Sequence, residues 1–172
     1  FFNISKKIFN KKSFQIISNI LFIFYIFLFS IIFFNLSNFD YLKIILFSLL
    51  LCCIGSDLGG YIFGKIFKGP KLTKISPNKT ISGSLGSLIF ACIFFSSIFY
   101  LFTFYFNFKI LVIGLITSVA CQIGDLFFSY LKRKASLKDT GNFLPGHGGL
   151  LDRIDGILFG IPVGLLSIVY LY

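Results

Sequence analysis

Five long apolar runs leave this chain few ways to fold: residues 14–36, 41–64, 82–106, 110–131 and 156–172. A helix rises about 1.5 Å per residue, so each of the first four crosses the ~30 Å hydrocarbon layer of a bilayer. The fifth lies at the lower limit of length. The runs predict an all-α, polytopic integral membrane bundle of about five transmembrane helices. A mean hydropathy of +0.92 agrees, far above that of a soluble core. The 172 residues suit a single membrane domain, 1–172. The chain opens on Phe and contains no Met, so further helices are expected upstream.

Charge sets the orientation. Lys6, Lys7, Lys11 and Lys12 precede the first run; Lys65, Lys68, Lys71, Lys74 and Lys79 follow the second; Lys132, Arg133, Lys134, Lys138 and Arg153 follow the fourth. Lys43 and Lys109 alone fall on the other side. Cytoplasmic loops carry the excess of Lys and Arg. The basic segment 1–13 and the loops 65–81 and 132–155 are therefore expected in the cytoplasm, with the bundle in the cell (inner) membrane. Basic loops beside membrane spans account for the net charge of +10, and no nucleic acid is expected as a partner. Cys52, Cys53, Cys92 and Cys121 all lie inside apolar runs without a CxxC pair, and read as buried small residues. Pro162 falls in the fifth run, where it kinks the helix or fixes its first turns.

Two carboxylates fall inside apolar runs. Such residues are expensive in a bilayer and usually face the bundle interior for a purpose. Asp57 lies in IGSDLGGYIFGK and Asp125 in ACQIGDLFFSYLKRK. A protonated or Lys-paired structural aspartate is the plainer alternative. Gly55/Gly59 and Gly60/Gly64 have the GxxxG spacing that lets helix backbones approach. Gln122, Asp125, Ser129 and Lys132, spaced 3, 4 and 3, share one helix face and form a polar wall on the cytoplasmic half of their span. The third run and the outer loops carry no chemical signal.

That wall leads into KRKASLKDTGNFLPGHGGLLDRIDG, residues 132–156. The segment holds five of the 16 basic residues, three of the six acids and the sole His. The basic run suits polyanion contact. Gly146, Gly148 and Gly149 allow close backbone approach to a ligand. Asp152 and Asp155, with Asp125, offer hard oxygen donors of the kind that hold Mg²⁺ beside substrate phosphates. Each feature has a plainer reading: a positive-inside anchor, an N-cap and N3 pair at Asp152 and Asp155, a hydrogen-bonded loop histidine at His147.

The segment Ser129–Asp155 resembles the signature of the phosphatidate cytidylyltransferases, or CDP-diacylglycerol synthases: S-x-x-K-R, then K-D, then P-G-H-G-G, then D-R-x-D. The stretch after Ser56 resembles the family's D-x-x-x-Y-x-x-G element. SPNKTISG, 76–83, resembles its SPKKTxEG element, with Asn78 and Ser82 departing from it. The likeness covers about 55–172. It implies transfer of a cytidylyl group from CTP to phosphatidic acid with Mg²⁺, and a candidate second metal ion. Asp125, Asp152 and Asp155 would be the metal residues. Lys132, Arg133, Lys138, Asp139, His147 and Arg153 complete the implied catalytic set. Asp57, Ser76, Lys79, Thr80, Gly146, Gly148 and Gly149 are implied in ligand binding. The expected partners are CTP, phosphatidic acid and the lipid bilayer, with a homodimer as the candidate assembly. The alternatives are a related CTP-dependent enzyme of polyprenols or ether lipids, and a transporter with Asp57 and Asp125 along an ion path. The D-G-x-x-A-R pattern of CDP-alcohol phosphotransferases is absent.

Overall fold

Apolar side chains in lipid leave the backbone to satisfy itself, which a helix does within its own segment. The computed structural model describes residues 20–73, 76, 79–134 and 151–172, the side chains of 151–153 apart. All the long elements among them are helices: α1 (Ile20–Leu36), α2 (Asp40–Phe67), α3 (Ile81–Thr103), α4 (Phe108–Lys134) and α5 (Leu151–Leu171). Helices α2 to α5 are long and apolar enough to cross a membrane, whereas the described part of α1 is shorter. The chain divides into two compact units, Phe1–Phe39 and Asp40–Tyr172. The first contains α1, whose Phe29 and Phe33 rings lie one turn apart with centroids at 6.0 Å.

In the second unit α2 and α4 run parallel, and α3 and α5 run against them. The register is read from side-chain pairs. Cys52 of α2 meets the Gly114 carbonyl of α4, Ser56 meets Ser118, and Cys53 meets Cys121. The core holds Leu49, Cys52, Ala91, Phe95, Ile113, Leu158 and Ile161, all buried. All four cysteines are free thiols; Cys52, Cys53 and Cys121 are buried, as small core residues should be, whereas Cys92 is half-buried.

Glycines set the helix spacing. Gly59 of α2 lies on the Gly86 backbone of α3, and Gly86 lies on Phe63. The GxxxG reading of α2 is thus a packing fact. A methyl group at Gly59 would meet the Gly86 carbonyl oxygen, and the Phe90 Cβ at 2.7 Å. Backbone cannot turn aside as a side chain can. Gly59→Ala is therefore expected to cost about 2–3 kcal/mol and to lower the Tm in detergent by about 5 °C or more. Gly114→Ala, whose Cβ finds Cys92 Cα at 3.3 Å, is expected to give a clearly smaller fall. Equal Tm values would contradict this packing.

The helix ends differ from the sequence expectation, for identifiable reasons. Helix α2 continues to Phe67 and stops at Lys68, which has φ 42° just before Gly69. Helix α3 ends at Thr103 because Phe104 turns left-handed, φ 54°, and donates its N–H to the Tyr100 carbonyl at 2.8 Å. Helix α4 carries Lys132, Arg133 and Lys134 in its own last turn. These cations complement the dipole at the helix C-terminus, so they extend the helix instead of opening a loop. Helix α5 begins at Leu151, ahead of the expected 156. Asp152 therefore lies inside the helix and not at its N-cap. Pro162 then falls well inside α5, not in its first turns, and the helix runs on through it.

At the opposite end of the unit, Lys109 donates to the Leu171 carbonyl at 2.7 Å and lies over the Tyr172 ring at 5.4 Å. A cation thus satisfies one of the orphan carbonyls at the end of α5.

Candidate active site

Asp125 and Lys132 of α4, Asp155 of α5 and Lys79 gather where the C-terminal part of α4 meets the start of α5. Asp125 and Asp155 face each other there, with their carboxyls in side-chain contact. Two glycines allow the approach. Gly124 lies against the Asp155 carbonyl, where a Cβ would stand 2.9 Å from that oxygen, and Gly156 lies against the Asp125 side chain. The wall expected on α4 is half-buried at Gln122, Asp125, Ser129 and Lys132 alike.

Each carboxylate has a lysine. Lys79 Nζ donates to Asp125 Oδ2 at 2.9 Å, and Lys132 Nζ stands 3.7 Å from Asp155 Oδ2. Asp155 Oδ1 also accepts the Gly156 N–H at 2.9 Å. The order is Lys79, Asp125, Asp155, Lys132. The acids retain only 18% and 13% of their side-chain exposure, so solvent screens these pairs less than it screens surface pairs. Asp57 of α2 lies within electrostatic reach of Asp125 and Lys79 and keeps access to solvent.

Lys79 arrives from the return between α2 and α3. That return is tied by Leu72 N–H to the Lys79 carbonyl at 2.8 Å, Lys79 N–H to the Ser76 carbonyl at 3.1 Å, and Ile81 N–H to the Pro70 carbonyl at 2.9 Å. Lys71 and Thr80 form an antiparallel bridge. The Thr80 hydroxyl accepts the Gly83 N–H at 3.1 Å as the N-cap of α3, a common way to satisfy an orphan amide. The return therefore places the Lys79 stem while Thr80 starts the next helix.

One turn before Asp125, Gln122 is held on both ends of its amide. Its Oε1 accepts the Ser84 hydroxyl. Its Nε2 donates to the Ser84 carbonyl at 3.3 Å and to the Ser118 hydroxyl at 3.5 Å. Ser118 in turn bonds Ser56 at 2.8 Å in the core. The third run is thus not chemically silent: Ser84 of α3 fixes the polar face of α4. One serine among the five of α3 gives no warning of this.

The structure brings together Asp125, Asp155, Lys132 and Lys79 from the residues singled out in the sequence, with Asp57 at their edge. Arg133 is exposed in the last turn of α4. Lys138, Asp139, Gly146, His147, Gly148 and Gly149, and the side chains of Asp152 and Arg153, lie outside the described residues. Reading the sequence for chemistry alone passes over Gly124 and Gly156. The signal was available: Gly156, Gly160 and Gly164 recur every four residues, a GxxxGxxxG ridge on α5.

Among the described residues no three metal-ligating side chains converge. Asp125 and Asp155 nevertheless offer hard oxygen donors side by side, the donor type that Mg²⁺ selects, and a metal bound largely through substrate phosphates takes only one or two protein carboxylates. The thiols lie among the core residues. The donor set fits a hard cation.

Lys134 differs from Lys132. It is exposed, with its ammonium 6.0 Å from the Tyr130 ring centroid. If phosphate contact is made at the charged cluster, Lys132→Ala lowers kcat/KM by about 30-fold or more, and Lys134→Ala by less than about threefold. Steady-state assays of both variants check this, and equal losses would contradict it.

A helical membrane bundle with cations and carboxylates set together in one end defines a polytopic membrane protein suited to a phosphate-rich ligand. A family model described as the cytidylyltransferase family matches residues 1–171, and the chain belongs to that family. The chain is similar to proteins named phosphatidate cytidylyltransferase. The Helicobacter pylori protein is 37% identical over 129 residues, which is 71% of this chain and 46% of that protein. The Staphylococcus haemolyticus protein is 44% identical over 128 residues, 72% of this chain and 48% of that protein. The Rickettsia felis protein is 45% identical over 121 residues, 65% of this chain and 53% of that protein. The aligned stretch spans about half the length of these curated relatives.

Proposed function

We propose that the protein transfers a cytidylyl group from CTP to phosphatidic acid, giving CDP-diacylglycerol and pyrophosphate. The observation that carries this reading is the meeting of Asp125 and Asp155 with Lys79 and Lys132 within a membrane bundle. The names of its relatives support the choice of substrates.

The chemistry explains why both signs of charge are needed. A phosphate oxygen of the lipid attacks the α-phosphorus of CTP. A P–O bond forms to the lipid, the bond from the α-phosphorus to the bridging oxygen breaks, and pyrophosphate leaves with its charge. Two anions must approach, so cations are required at the reacting oxygens. Lys79 and Lys132 supply them from the described residues, with Arg133 at the rim. Phosphatidate is itself the nucleophile, and no covalent enzyme intermediate is required. Asp125 and Asp155, with Asp152 one turn earlier on α5, would hold Mg²⁺. When bound, that ion neutralises phosphate charge and polarises the phosphoryl group. Gln122 and Ser84 hold the α4 face in register for these contacts. The lipid phosphate lies at the bilayer surface and CTP arrives from the cytoplasm, so the site opens on the cytoplasmic side, in the cell (inner) membrane. The basic residues beside it suit that orientation.

The test is ligand-dependent stability. CTP with Mg²⁺ is expected to raise the Tm of the purified protein, and added phosphatidic acid to trigger pyrophosphate release. A protein that gains no stability from CTP with Mg²⁺, yet carries ions across vesicle membranes, would be a transporter instead.

A further inference from the structure

We propose that Lys79 is the resident counterion of Asp125 and competes with the divalent cation for that carboxylate, so that metal entry frees the ammonium for phosphate. This rests on the reading above and concerns what couples the two ligands. The geometry is asymmetric. Asp125 Oδ2 has an ammonium at full hydrogen-bond distance, 2.9 Å, whereas the Lys132–Asp155 pair is looser at 3.7 Å. Asp155 has its own backbone donor in Gly156 N–H. A carboxylate within a membrane span and largely removed from solvent needs a counter-charge when no metal is present, and Lys79 provides it. The two cations have to share one half-buried carboxylate. A metal ion on Asp125 repels the lysine and removes its partner.

Lys79 is held at its backbone by the return and at its tip by Asp125. The backbone is fixed by the 70–81 return, while the side chain keeps 31% exposure. The ammonium can therefore swing away while its anchor stays. Left beside a bound metal it is an uncompensated cation, and a triphosphate or lipid phosphate oxygen relieves that. Metal and phosphate ligands thus favour each other, and such coupling is reciprocal in free energy. Lys79 is a positioning residue before phosphate arrives and a phosphate contact afterwards.

The experiment uses Mn²⁺ alone as the probe, followed by electron paramagnetic resonance of the free ion with the whole chain in detergent. Lys79→Gln is expected to bind Mn²⁺ about tenfold more tightly than the wild type, since the competing cation is gone, and to lose most of the gain in CTP affinity that Mn²⁺ confers. Lys79→Arg keeps the charge and is expected to stay within about twofold of the wild type. A second measurement needs no variant. Amine acetylation at Lys79, read by mass spectrometry, is expected to quicken when Mn²⁺ is added and to slow again with Mn²⁺ and CTP together. Unchanged or weaker Mn²⁺ binding in Lys79→Gln, or Lys79 reactivity that ignores Mn²⁺, overturns the proposal. Failure of the catalytic reading shows itself separately, as absence of CDP-lipid from the wild type whatever its Mn²⁺ affinity.

Discussion

Asp125→Asn is expected to lower the rate of CDP-diacylglycerol formation by at least about 10³-fold while the protein still inserts and stays helical. The substitution keeps the size of the side chain and removes one negative charge. In the present arrangement that charge faces Lys79 at 2.9 Å and adjoins Asp155. An amide is a poor ligand for a hard cation and a poor counterion for an ammonium. Both proposed tasks of Asp125 fail together. Helix α4 depends on other groups: Gly114 and Gly124 against its neighbours, and the Gln122–Ser84–Ser118 contacts. Rates with saturating CTP and phosphatidate, set against thermal melting of the same sample, separate the two effects. A variant within tenfold of the wild type would remove Asp125 from the mechanism.

Gly156→Ala tests the same carboxylate from the opposite helix. The new Cβ would stand 2.7 Å from Asp125 Oδ1 and 3.4 Å from the Cys121 carbonyl. The first neighbour is the far end of a side chain, which can rotate. The fold therefore adapts at small cost, while Asp125 leaves its place beside Asp155. Displacement of a reacting group by about 1 Å costs on the order of 10²-fold, and that loss of turnover is expected with little change in Tm. Gly160→Ala, one turn further along α5, is the contrast. Its Cβ would meet Cys121 Sγ, and Cys53 Sγ at 2.7 Å, within the core. Stability is expected to fall there more than the activity of the folded fraction. If the two variants behave alike, the glycine ridge is packing throughout and does not position Asp125.

The spans were legible because lipid imposes a length and a polarity that apolar runs display directly. Their ends were less so. Lys132 to Lys134 read as loop because they are charged, yet a helix end welcomes cations, and α4 absorbs them. The Gln122–Asp125–Ser129–Lys132 face was visible through its spacing, since a helical period is a local property. Its partners were not. That Lys79 meets Asp125 depends on a return from another part of the chain, and no local pattern encodes a contact across 46 residues. Ser84 shows the same limit: nothing around it marks it as the residue that holds Gln122. The glycines of α5 were readable as a ridge, but that Gly156 faces a carboxylate and Gly160 two thiols follows from the register between helices.

The central claim is that lipid receives the cytidylyl group of CTP. The direct measurement incubates the purified protein with phosphatidic acid and Mg²⁺, using CTP labelled either at the α-phosphate or at the γ-phosphate, and follows label into the lipid phase. The account predicts lipid-borne α-label, with the γ-label released as pyrophosphate. Lipid labelled from the γ-position would reveal a CTP-dependent kinase, and no lipid label from either would contradict the proposed reaction outright.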